Sequence, residues 1–202
     1  MSLILQGSTS GSITLQEPAV AGTTVLTLPA VTGNVLTDTS PKAGNVIQVV
    51  STTKTDTTSF SSANTNTYVD ITGMSVTITP TSATNKILVM YTVGVSQSTG
   101  ATIHVRLYRG ATSIGQGDAS GNRLGDSLIW RPNGSQYNFD IGPLSSSFLD
   151  SPNTTSATTY KLAATLGSTY SGTFYLNRSW DDSDNDYSGR TASTITVMEI
   201  AA

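Results

Sequence analysis

An all-β fold is predicted by three features of the chain. Thr, Val, Ile, Ser and Gly collect in every window, whereas Ala, Leu, Glu and Lys nowhere gather over a helix-length stretch. Short apolar-alternating runs recur with Gly, Pro, Asn and Ser between them, the rhythm of a sandwich or barrel. Only 11% of the 202 residues are charged, against about 25% in ordinary globular proteins, while roughly three in ten are Ser or Thr.

The elements divide at a turn-rich segment, which predicts an N-terminal segment 1–40, a linker 41–45 and a β-sandwich head 46–202. In the first segment Ser12 to Gln16 alternates, with Ile13 and Leu15 on one face, and Thr24 to Leu28 places Leu26 and Leu28 likewise. Pro-Ala-Val occurs at Pro18-Ala19-Val20 and at Pro29-Ala30-Val31, each copy reaching a glycine at Gly22 and Gly33 and then Val-Leu-Thr. Proline ends the pairing, and glycine supplies the reversal. Two or three apolar residues per copy cannot offset an ordering cost of roughly 1–2 kcal/mol per residue. The segment is therefore expected to order only in an oligomer or against a partner.

In the head, Val46 to Val50 is the first strand. Tyr68 to Ile78 carries Val69 and Ile71, then Met74, Val76 and Ile78. That register flips at Thr72-Gly73, where a β-bulge restores one buried face. Lys86 to Val95 is apolar on both faces and should be central. Thr102 to Tyr108 turns Ile103, Val105 and Leu107 inward; Tyr160 to Leu166 carries Tyr160, Leu162, Ala164 and Leu166; Thr173 to Leu176 and Thr194 to Ile200 complete the set. Residues 110 to 147, rich in glycine, read as long loops with one or two short strands.

Charge and motif narrow the function. A net charge of −3 and a pI near 4.9 give no basic surface for nucleic acid. No run approaches the roughly 18 apolar residues of a membrane span. The absence of cysteine excludes disulfide staples, thiol catalysis and Cys-type zinc sites. Met1-Ser2-Leu3-Ile4-Leu5 has no positive flank and too short an apolar run for a signal peptide, so cytoplasmic synthesis without export by the usual route is expected. His104, the single histidine, lies at a polar position of an alternating strand and reads as facing solvent or an interface. Asp182, Asp184 and Asp186 have the spacing that opens a calcium loop, but Tyr187 and Ser193 stand where glycine and glutamate are required. A hydrated turn paired with Arg178 and Arg190 is the simpler reading. The sequons at Asn133, Asn153 and Asn177 are chance matches in a Ser/Thr-rich chain. Trp130, Tyr137, Phe139, Trp180 and Tyr187 fall in expected loops, as contact residues for carbohydrate or protein, or as buried anchors. No catalytic, cofactor-binding or metal residues are assigned, and the chain reads as a non-enzyme.

The stretch Gly7-Ser8-Thr9-Ser10-Gly11-Ser12-Ile13-Thr14-Leu15, followed by Pro18 to Gly22, Leu26-Thr27-Leu28-Pro29, Gly33 and Leu36-Thr37, resembles the N-terminal regions of tailed-bacteriophage fibre proteins, especially those of marine and cyanobacterial phages. The head is similar to a module of phage structural proteins in Gly44 to Val50, Val76 to Val89, Thr159 to Ala164, Tyr175 to Ser179 and Ser193 to Ile200. The loop region 110 to 147 matches no such pattern. The resemblance implies a virion component assembled in the host bacterial cytoplasm. It further implies a homotrimer with an N-terminal repeat stalk and a jelly-roll-like (TNF/C1q-like) β-sandwich head. The stalk would dock on other virion proteins, and the head loops would meet a host surface glycan or a neighbouring virion protein. A capsid decoration or head-fibre protein is the alternative. A polysaccharide depolymerase is a minor one, since only Glu17 and Glu199 are glutamates and no paired carboxylates can be placed.

Overall fold

The computed structural model of the chain describes residues 3–6, 9–15, 41–62, 66–132, 138–167 and 171–202. Both Pro-Ala-Val copies, the expected strand Thr24 to Leu28, the Asn133 sequon and Tyr137 lie outside these residues. The chain forms two units, Met1–Leu36 and Thr37–Ala202.

Within the first unit, β1 (Leu3–Gln6) and β2 (Ser12–Leu15) pair antiparallel, with Ile4 opposite Thr14. Gly11, at φ +78°, adopts the left-handed conformation just before β2. Ile4 and Leu5 are both about half exposed. Side chains alternate across a strand, so this hairpin shows apolar surface on each of its faces.

The second unit is a sandwich of two antiparallel sheets, jelly-roll-like, with no helix among the described residues. Its strands are β3 (Val46–Lys54), β4 (Thr58–Ser62), β5 (Val69–Ile78), β6 (Lys86–Gln97), β7 (Ile103–Arg109), β8 (Thr112–Ile114), β9 (Leu128–Trp130), β10 (Gly142–Asp150), β11 (Thr158–Leu166), β12 (Gly172–Leu176) and β13 (Ser193–Ile200). The six-stranded sheet is built around β6. One edge of β6 pairs with β10; the other is shared by β13 along Lys86–Thr92 and β12 along Val95–Gln97. β3 lies outside β13, and β4 outside β12. The second sheet runs β5-β11-β7, with β8 and β9 both on the far edge of β7.

Period-two patterning places the core between the sheets. From one side come Ile87, Val89, Tyr91, Val93, Val95, Ile195, Val197 and Leu176; from the other Ile71, Met74, Val76, Ile78, Ile103, Val105, Leu107, Tyr160, Leu162 and Leu166. The flip in β5 is real: Ile71 and Met74 are both buried with two exposed residues between them. Gly73 sits there at φ +84°, and the register against β11 shifts between Lys161 and Ala163. Val69, expected inward, is exposed.

Two expectations are corrected. Residues 142–147 are not loop but the first part of β10, a nine-residue strand along β6. Its inward positions include Ser146 and Asp150, which break the apolar alternation. Ser146 meets the Tyr91 hydroxyl, and Asp150 accepts both Arg109 Nη1, at 2.8 Å to each oxygen, and Tyr160 Oη at 2.6 Å. Residues 44–45, expected as linker, already belong to the sandwich: Gly44 N donates to Ala201 O at 2.8 Å, and Ala201 N donates to Asn45 O at 2.9 Å.

Candidate interaction surfaces

The outer faces of the two sheets differ in chemistry. On the five-stranded sheet Lys161 Nζ pairs with Asp70 Oδ2 at 2.6 Å and lies over the Tyr108 ring, while His104 and Arg106 project from β7. That face is charged. On the six-stranded sheet the register aligns Val49, Met198, Leu88 and Leu149 in one row across β3, β13, β6 and β10. The next row is Ser51, Thr196, Met90 and Ser147, and the next Thr53, Thr194, Thr92 and Ser145. No position in these three rows is charged. Val49 and Leu149 are each 54% exposed and Met90 39%. At the rim, Val46 is also exposed and Lys86 Nζ is bonded to Ser151 Oγ at 2.7 Å. β6 is central, as its composition predicts, but among the described residues of this unit no layer covers its second apolar face. An uncharged apolar and hydroxyl face of this breadth is the mark of a contact surface.

The second surface is a groove on the outer side of the five-stranded sheet. His104 stands on that side of β7, yet it is not solvated: its side chain is 12% exposed and its Nδ1 lies 2.7 Å from Asp126 Oδ2. Tyr68 Oη donates to the other carboxylate oxygen. Arg106 stacks 4.0 Å over the Tyr68 ring, with Nε 3.6 Å from that same oxygen and 2.7 Å from Gly125 O. Burial, then the hydrogen bond and charge of Asp126, push the Tyr68 phenol well above its ordinary range. Asp126 is thus enclosed by three partners. The groove has a volume of about 370 Å³ and is lined by Asn66, His104, Asn122, Arg123, Ile129 and Gly167, among others. Among the described residues, none that lines the groove carries a hydroxyl or thiol.

The acidic loop is a braced turn. Asp182 takes Arg178 Nη1 at 2.8 Å and also Arg190 Nη2, the pairing expected from the sequence. Asp181 accepts the Ser183 hydroxyl and backbone N–H, which hold its carboxyl below the usual range. Among the described residues no group of three or more His, Asp or Glu side chains is placed to hold a metal ion. Of the aromatics, Trp130 is an anchor, packed against the core and over Gly142. Phe139 and Tyr187 meet edge to face at 4.8 Å, and Tyr187 stays 61% exposed.

Fold and surface together define the chain as an all-β sandwich with one uncharged outer sheet face and one polar groove. No protein-family model matches the chain, and no curated protein sequence matches it. Solved structures of infectious bursal disease virus match the chain distantly. That of the Gt strain shares 14% identity at a TM-score of 0.40, over 98% of this chain and 46% of that one. That of the T13 viral particle shares 15% at 0.39, over 95% and 42%, and that of the VP2 subviral particle 15% at 0.36, over 88% and 42%. This chain therefore spans less than half the length of the chains it resembles.

Proposed function

We propose that the chain is a non-enzymatic structural protein of a virus particle: a tail fibre or fibre tip of a tailed phage, assembled as a homotrimer in the host cytoplasm. The uncharged outer face of the six-stranded sheet carries this reading, because it gives sister subunits a broad apolar contact. The resemblance of residues 7 to 37 to phage-fibre N-termini supports it from the other unit, whose described hairpin leaves Ile4 and Leu5 exposed. Self-association covers Val49, Met90 and Leu149, and the N-terminal segment docks on other virion proteins. The groove and loops of the head remain outward for a host surface glycan.

Sedimentation equilibrium of the whole chain tests the assembly. A trimer is expected, and Met90→Asp should dissociate it, since an unpaired charge buried at a contact costs several kcal/mol. A monomeric wild type overturns the oligomer, and a trimer unchanged by Met90→Asp removes this face from the interface. Labelled protein located on particles then decides position: one pole supports a tail fibre, whereas facets or vertices place it on the head as a decoration protein.

A further inference from the structure

We propose that the groove beside His104 binds a carboxylate-bearing sugar unit, with Arg123 holding the carboxylate and His104 Nε2 hydrogen-bonding a hydroxyl. This rests on the reading of the head as a module that meets a surface glycan, and it names the class of glycan.

The charge of the groove is the first argument. The chain carries a net −3, yet among the described residues the lining contains one arginine, one imidazole, two asparagines and no carboxylate. Asp126, the carboxylate bonded to His104, has a side chain only 7% exposed and is occupied by His104, Tyr68 and Arg106. An anionic ligand therefore meets a guanidinium and amide dipoles there, not a competing acid.

The second argument is how the donors are held. Arg123 Nε lies 3.2 Å from Ser120 O and Nη2 3.1 Å from Ser120 Oγ, within a turn closed by reciprocal Ser120–Arg123 backbone bonds of 3.1 Å. These contacts use one edge of the guanidinium and leave the Nη1–Nη2 end as a fork for a carboxylate. The Asp126 carboxylate can only accept, so Nδ1–H of His104 donates to it, which leaves Nε2 to hydrogen-bond a sugar hydroxyl. Gly167 leaves room beside that atom: a Cβ there would stand 3.5 Å from Nε2.

The third argument is the mixture of surfaces. Asn66 and Asn122 supply amides that both donate and accept, the pattern needed by a ring of hydroxyls. Asn66 is held at φ +54°, a conformation that asparagine tolerates better than most residues. Ile129, 59% exposed on β9, offers an aliphatic patch to the C–H face of a sugar. The volume lies within the range of small-molecule sites.

Calorimetric titration of the whole chain with tetragalacturonate, against maltotetraose as the neutral control, tests this. Saturable binding of the acidic saccharide at one site per chain is expected, weaker in added salt. Arg123→Gln should weaken it by about tenfold or more, the loss of one charge-assisted fork. Gly167→Leu should abolish it by filling the groove with the melting temperature preserved, and Lys42→Gln, at an exposed cation outside the groove, should leave it unchanged. The proposal is overturned by no saturable binding at millimolar saccharide, by equal binding of maltotetraose, or by an Arg123→Gln protein that binds like the wild type. A chain that sediments as a trimer and labels particles yet ignores tetragalacturonate fails this proposal alone. A monomer that binds it fails the assembly alone.

Discussion

Glu199→Gln tests how a buried carboxylate holds the sandwich closed. Glu199 occupies an inward position of β13 and is fully buried. Its Oε1 accepts Asn85 Nδ2 at 2.6 Å, Thr81 N at 2.7 Å and Thr81 Oγ1 at 2.8 Å; its Oε2 accepts Gln48 Nε2 at 2.5 Å. The group thus ties β3 and the β5–β6 turn to β13. Burial alone opposes ionisation, but the bonds from Asn85, Gln48 and Thr81 outweigh it and hold the carboxyl below its ordinary 4.5. Glutamine keeps the shape, removes the charge and turns an N–H₂ toward donors. Loss of charged hydrogen bonds together with an unsatisfied donor should cost about 3 kcal/mol. For a protein of this size that is about 6–12 °C of melting temperature. The pH dependence carries a sign. The folded value lies below the unfolded one, so the wild-type contribution is complete above 4.5, declines as pH falls through the folded value and is absent beneath it. Glu199→Gln lacks it throughout. Melting followed by circular dichroism at a fixed protein concentration should show the full gap at neutral pH and a narrowing gap in acid. Other carboxylates are common to both proteins and cancel. Equal melting temperatures at neutral pH, or a gap that acid leaves unchanged, would refute the account.

Three further outcomes are expected. Tyr160→Phe removes a hydroxyl bonded to the buried Asp150 and should destabilise the sandwich by about 1.5–3 kcal/mol in urea denaturation, whereas exposed Thr159→Ala should lie within about 0.5 kcal/mol. Gly142→Ala should cost about 1–3 kcal/mol, because its Cβ would collide with the Trp130 ring; fluorescence should report the displaced indole as melting temperature drops. Calcium should leave the melting temperature unchanged, since Asp182 is already engaged by Arg178 and Arg190, and a calcium-dependent rise would contradict that bracing.

Legibility followed the strictness of alternation. Ile103, Val105 and Leu107 in β7, and Tyr160, Leu162, Ala164 and Leu166 in β11, are fully buried as their period-two spacing requires. Even the interruption in β5 was readable, since Thr72-Gly73 shifts the apolar set by one position. β10 was not readable, because Ser146 and Asp150 look solvated until Tyr91 and Arg109 are brought to them by distant strands. β4 was hidden similarly, with Phe60 as its only large apolar residue. β6 was correctly central, but among the described residues the apolar side chains of its second face, such as Met90, lie at the surface and not in an interior layer. At the groove, His104 was legible as lying off the core. Asp126 is 22 residues away in sequence, and no spacing rule links it to a histidine on another element.

The placement of β13 between β3 and β6 has a consequence for biosynthesis. Two strands emerge early from the ribosome with bare edges that only residues 193–200 can fill. Until those residues are delivered the sheet stays split, and any product lacking them exposes unpaired strand edges. The six-stranded sheet therefore closes only when residues 193–200 lie between β3 and β6.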